Sequence, residues 1–204
     1  MMQLKAENIH FAYPKSADLF GGFHFSIKTG EVVGILAPSG AGKSTFAKIL
    51  AGYLSPQKGT VRVEPQSGTG RRQAYNPVQL IFQHPEQAIN PLHKMEKVLS
   101  EVGPINQEAM AALGIDPEWL DRWPTELSGG ELQRFCVLRI LNTKTRFIIA
   151  DEMTTMLDAI TQAQIWEVVL DYAKAHEMGV VVISHSSALV NRICQRVVTM
   201  GALK

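Results

Sequence analysis

The stretch Ala37-Pro38-Ser39-Gly40-Ala41-Gly42-Lys43-Ser44-Thr45 narrows what this chain can fold around more than any other. It follows an apolar run, Val32 to Leu36, that reads as a buried strand, and it precedes Phe46 to Gly52, which reads as a helix closed by glycine. Strand, glycine-bearing turn, Gly-Lys-Ser and helix together make a cradle for a nucleotide's phosphates. Gly40 and Gly42 let backbone N–H groups turn inward with no Cβ in the way. The helix start aims free N–H groups and partial positive charge at the same anion. Lys43 adds a full charge near the terminal phosphates, and the Ser44 hydroxyl suits Mg²⁺. Ala37 stands where the usual pattern has glycine, and alanine fits if its φ stays negative. The plain alternative, an ordinary turn with two glycines, loses ground as further motifs are counted.

The rest of the chain bounds the class. Its 204 residues suffice for one large domain, and 46% apolar residues allow a sizeable core. The 20 basic and 19 acidic residues nearly cancel, so no nucleic-acid partner and no anionic membrane surface is expected from charge. Cys136 and Cys194 sit in apolar helical contexts outside any C-x-x-C pair and read as buried free thiols in a reducing compartment. With no signal region at the N-terminus and no apolar run near the ~20 residues of a membrane span, the chain is expected to be cytosolic, and peripheral if it serves a membrane.

Taken in order, Leu4 to Tyr13 and Phe23 to Lys28 alternate as an antiparallel strand pair, with Asp18 to Gly22 as the turn and Phe23, Phe25 and Ile27 on one face. Tyr13 is either a platform for a flat base or a half-buried strand residue. A strand at Thr60–Val63 leads into a polar surface loop through Gln73 that carries Arg71-Arg72. The strand Val78–Phe82 delivers Gln83, a residue type that can reach a metal ion or a water, or merely cap. From His93 to Trp123 the pattern is helical, broken at Gly103-Pro104 and Asp116-Pro117, with Trp119 and Trp123 read as core of a small helical unit. Ser128 is an N-cap, and Gly129-Gly130 in the first turn of its helix cost about 1 kcal/mol each. That cost points to a close approach by something else. Arg146 to Glu152 is a buried strand ending in two carboxylates, where ligands of open parallel sheets sit. Asp151 is placed to hold Mg²⁺ and Glu152 to polarise a water. A helix over roughly 160–177 shows Ile165, Val168, Val169 and Tyr172 inward. Val180 to Ser184 is a strand ending at His185, and Arg196 to Met200 is the last strand.

With these motifs in place, the chain resembles the ATP-binding subunits of ABC transporters from Tyr13 to about Met200. Leu127-Ser128-Gly129-Gly130-Glu131-Leu132-Gln133-Arg134 is the most specific part. Phe82-Gln83-His84-Pro85 with Asn90-Pro91, and Ala150 to Asp158 with Gln162-Ala163-Gln164-Ile165, resemble the oligopeptide, dipeptide and nickel importers. The resemblance implies an α/β fold: a P-loop NTPase core with a mostly parallel sheet, an antiparallel β edge subdomain and a helical subdomain near 84–127, all within a single domain of residues 1–204. It implies ATP and Mg²⁺ as cofactors. Tyr13 would stack on adenine, and Ser39, Gly40, Ala41, Gly42, Lys43, Ser44 and Thr45 would bind phosphates. Ser44, Asp151 and Gln83 would serve the metal, Glu152 would be the general base, and His185 would contact the γ-phosphate. Ser128, Gly129 and Gly130 would close on ATP held by a second ABC ATPase subunit, of the same or another kind, with Asp158 at that interface. Transmembrane permease subunits would be the other partners, met at the cytoplasmic face of the cell membrane near Gln83 and residues 84–91. The implied function is ATP hydrolysis energising import of a small solute such as peptide or nickel. The alternatives are a soluble ABC-type ATPase coupled to a cytosolic complex, and a non-catalytic nucleotide-binding subunit. The chain departs from the family pattern at Ala37, at Met153 in place of a proline, and in ending at Lys204, where importers of that branch usually continue.

Overall fold

A computed structural model describes residues 1–14, 18–65 and 75–200. The polar loop with Arg71-Arg72 and the chain end at Lys204 lie outside the described residues. The chain forms two compact units, Met1–Leu80 with Arg146–Asp151 and Glu177–Lys204, and Ile81–Thr145 with Glu152–His176.

The first unit carries two sheets. β1 (Gln3–Phe11), β2 (Phe20–Lys28) and β4 (Lys58–Glu64) form an antiparallel sheet of order β2-β1-β4. The register sets Leu4 opposite Ile27 and Ala6 opposite Phe25, so alternate residues on one face meet and are buried. The turn expected at Asp18–Gly22 is shorter than its glycines suggested: β2 already begins at Phe20, which pairs with Phe11 and is buried. Burial of that ring outweighs the turn preference of Gly21 and Gly22.

The second sheet has the order β5-β6-β7-β3-β8, from β3 (Val32–Leu36), β5 (Val78–Ile81), β6 (Phe147–Asp151), β7 (Gly179–Ile183) and β8 (Arg196–Thr199). β6–β7, β7–β3 and β3–β8 pair in parallel. Every residue of β6 and β7 is buried, which is why both read as unbroken apolar runs. Helix α1 (Lys43–Leu50) follows β3, and α6 (Ser187–Ile193) follows β7. The sequence did not announce α6, because its seven residues bury Val190 alone and show no periodic stripe.

The second unit is helical. It holds α2 (Met95–Ser100), α3 (Gln107–Ala112), α4 (Gly129–Ile140) and α5 (Ala159–Ala175), with 3-10 turns at Pro85–Gln87, Pro117–Asp121 and Pro124–Glu126. The breaks fall at Gly103-Pro104 and Asp116-Pro117, where proline removes a donor. Residues 84–127 lie inside this unit, together with α4 and α5. Met95, Val98, Leu99, Met110, Leu113 and Ile115 are buried there. Trp119 and Trp123 are not core as expected; Trp119 is half-buried and Trp123 is 41% exposed. The buried face of α5 is Ile165, Trp166, Val169 and Ala173, so Trp166 and Ala173 replace Val168 and Tyr172 of the expected face. The core Cys136 thiol is pushed up to about 12 by burial, whereas Cys194 is only half-buried and is raised to about 11.

Candidate phosphate-binding site

The loop after β3 is held open from within. Lys43 is 6% exposed, and its Nζ donates to the carbonyls of Ala37 at 3.0 Å and Pro38 at 3.1 Å. An ammonium has three donors, so two carbonyls hold it in place and leave one N–H to give. Burying that charge is costly without a full counter-charge, which an anion in the loop would supply. Gly42 is the N-cap of α1, at φ 86°, and no side chain caps the helix. A Cβ on Gly42 would lie 2.6 Å from Leu19 and 2.8 Å from Phe20, so both backbone angle and space demand glycine there. Among the described residues the non-glycine residues with positive φ are Asn8, Glu152 and Glu177, and Ala37 is not one of them, so alanine fits without strain.

What fixes α1 is its far side. Phe46 is fully buried, with ring centroids 5.0 Å from Phe23, 5.7 Å from Phe25 and 5.8 Å from Phe20, all near edge-on. Thr45, one residue earlier, is buried, and its hydroxyl lies 3.0 Å from the Tyr13 hydroxyl. Tyr13 packs its ring against the edge of Phe11 at 5.0 Å and stays 45% exposed. Ser44 is exposed.

Register decides which strand ends share the loop's edge of the sheet. Ile35 pairs with Ile183, and Ile183 pairs with Asp151. The three lie in one row across adjacent strands about 4.8 Å apart. Asp151 is buried at the end of β6. Ser184 is buried just past β7, accepting from the Ser186 N–H at 3.0 Å, and His185 follows it, exposed. The phosphate loop, Asp151 and His185 therefore share one edge. Hydroxyl and carboxylate oxygens such as those of Ser44 and Asp151 are the hard donors that Mg²⁺ prefers, so the donor set fits that ion. The uncapped helix and the buried lysine fit a phosphate.

The remaining sequence-predicted residues belong to the helical unit. Gln83 is half-buried, one residue past Phe82, whose carbonyl accepts from Gln133 Nε2 at 3.3 Å. Helix α4 is self-capped. Ser128 Oγ accepts from the Glu131 N–H at 3.3 Å, and Glu131 Oε2 accepts from the Ser128 N–H at 2.7 Å. Hydrogen bonds from Ser128, its backbone N–H first and its side chain second, hold the Glu131 carboxyl below its ordinary range. The Ser128 hydroxyl is thus turned to its own helix, accepting from the Glu131 N–H. A Cβ on Gly129 would meet nothing within 4 Å, while one on Gly130 would meet Leu157 at 3.2 Å. Asp158 caps α5, accepting from the N–H groups of Ile160 and Thr161 at 3.0 Å each.

Glu152 has a φ of 49°, a left-handed backbone that costs about 1–3 kcal/mol outside glycine. Its carbonyl accepts from the Thr155 N–H at 3.2 Å and the Thr155 hydroxyl at 3.0 Å. Thr154, 2% exposed, accepts through Oγ1 from Gln162 Nε2 at 2.7 Å and Trp166 Nε1 at 3.2 Å. Sequence reasoning gave no role to Thr154, Gln162 or Trp166. The available signal was a tryptophan on the helix after Asp158, since a buried indole needs an acceptor.

Residues 20–155 match the family described as ABC transporter. The nickel import ATP-binding protein NikE of Rhodospirillum rubrum is 33% identical over 192 residues, which cover 86% of this chain and 69% of that protein. The probable D,D-dipeptide transport ATP-binding protein DdpF of Escherichia coli K12 is 30% identical, with 97% of this chain and 68% of that protein covered. The ATP-binding cassette MJ0796, solved as a dimer in a post-hydrolysis state bound to ADP and Pi, superposes with a TM-score of 0.81 at 22% identity, over 98% of this chain and 97% of that one, which shows the shared fold. With a self-held lysine under an uncapped helix and this match over most of its length, the chain belongs to the ABC transporter family as an ATP-binding subunit.

Proposed function

We propose that the chain binds ATP at residues 39–45, hydrolyses it, and energises import of a small solute, either nickel or a short peptide. The observation that carries this reading is the N-terminus of α1, uncapped and backed by a buried lysine. The relatives named for nickel import and D,D-dipeptide transport support the solute class and leave the reading as a soluble ATPase without support. In this reading residues 1–204 work as one ATP-binding domain. Ser39, Gly40, Ala41 and Gly42 turn backbone N–H groups to the phosphates, Lys43 gives its remaining N–H, and Tyr13 offers its ring to the base. Bound Mg²⁺ would supply positive charge to the phosphate oxygens, held by Ser44, Asp151 and Gln83. Glu152 takes a proton from the attacking water, and His185 donates to the γ-phosphate. Ser128, Gly129 and Gly130 close on ATP carried by a second ABC ATPase subunit. Asp158 stands at that contact.

Among the described residues no helix is long and apolar enough to cross a membrane. The reading assigns that part to transmembrane permease subunits, met through Gln83 and residues 84–91 at the cytoplasmic face. The test is Glu152→Gln. It should lower turnover by about 100-fold or more while ATP binding holds. Undiminished turnover would remove Glu152 from the base role.

A further inference from the structure

A non-glycine residue persists at a left-handed φ only where its surroundings over-determine it. At Glu152 those surroundings include a set of hydrogen bonds around the turn. Thr155 holds the Glu152 carbonyl with its N–H and its hydroxyl. The neighbouring Thr154 is buried, and α5 grips it with two donors: Gln162 Nε2 reaches its hydroxyl at 2.7 Å, and Trp166 Nε1 reaches the same oxygen at 3.2 Å. Gln162 Nε2 also lies 3.4 Å from the Thr154 carbonyl, which accepts from the Leu157 N–H at 3.1 Å. Asp158 then caps α5 itself, so the turn is anchored at its start, its middle and its end. Met153, although buried, does not lock φ as a proline would. Hydrogen bonds from α5 to Thr154 restrain the turn beside Glu152, together with those that Thr155 gives to the Glu152 carbonyl.

We propose that Thr154, Gln162 and Trp166 are positioning residues for the hydrolytic reaction, holding the Glu152 turn in the left-handed form from which its carboxylate works. This rests on the reading of Glu152 as the base. Without the two donors from α5, Thr154 can rotate away, Glu152 relaxes to an ordinary φ, and its carboxylate moves off its aim. A misplacement of about 1 Å is enough to cost about 100-fold in rate.

The experiment measures kcat, KM for ATP and thermal midpoint for the purified full chain as wild type and as Thr154→Val, Thr154→Ser, Gln162→Met, Trp166→Phe and Glu152→Gln. Thr154→Val and Trp166→Phe should lower kcat by about 10–100-fold with KM for ATP little changed, and Thr154→Ser, which keeps the acceptor, should restore kcat. If Thr154→Val does not fold, Gln162→Met and Trp166→Phe carry the same comparison. Thermal midpoints that fall while kcat stays at the wild-type value, with Glu152→Gln inactive, would show a merely structural network and overturn the inference. A Glu152→Gln protein that turns over normally would instead overturn the base reading, and the inference with it.

Discussion

Helices α1 and α4 both begin beside glycine, yet only α4 caps itself. At α4, Ser128 and Glu131 satisfy each other's N–H groups, and the carboxylate sits against the positive end of the helix. At α1 no side chain caps the helix start, and the buried Lys43 faces two carbonyls instead of a carboxylate. The uncapped helix is stabilised elsewhere, by Phe46 among Phe20, Phe23 and Phe25. A helix start that meets some of its own donors lowers the cost of leaving them unmet. One left incomplete must be anchored from behind, and it keeps its donors for a ligand.

The sharpest way to break this contrast is Lys43→Ala. Turnover should fall by at least about 100-fold, because a charge aimed at the phosphates is lost. The nucleotide-free protein should hold or gain stability, since a buried ammonium without a counter-charge is removed. Thermal unfolding with and without ATP checks both: the ATP-induced rise in midpoint should vanish. A nucleotide-free protein that unfolds would mean that Lys43 serves the fold first. Next in size, Phe46→Ala should cost about 3–5 kcal/mol by denaturant titration, since it empties the aromatic nest that anchors α1. A loss below about 1 kcal/mol would move the anchor elsewhere. The smallest effect belongs to the self-capped helix. Ser128→Ala should cost about 1 kcal/mol even without nucleotide. The Glu131 carboxyl is lowered in the folded state, so its share of the cap is fully present above the ordinary carboxylate range. That share is lost as pH falls through the lowered value. The stability gap between wild type and Glu131→Ala should therefore narrow on acidification, and a gap that stays constant would take Glu131 out of the cap.

Much of this was legible beforehand because it is local. The phosphate loop, the Ser128 cap, the strand ending at Asp151 and the proline breaks in the helical unit each lie within about ten residues, where period and residue type speak directly. The errors fall where burial overrides local preference. Phe20 extends β2 through two glycines because its ring is buried, and Trp123 stays exposed although its composition suggested core. On α5, Trp166 rather than Tyr172 lies inside, because its indole has Thr154 to meet.

The sequence alone determined the chemistry on offer: an anion loop with a lysine, two carboxylates closing a strand, a histidine closing another, and a capped helix bearing two glycines. Tertiary structure alone decided how these are held. The hydroxyls of Tyr13 and Thr45 are 32 positions apart, and the row of Ile35, Ile183 and Asp151 joins three distant strands. The left-handed turn at Glu152 is restrained through a threonine gripped from α5. The reason is physical. Residue type and period act within a turn or a strand, whereas strand register and buried partners are fixed only when the whole core closes.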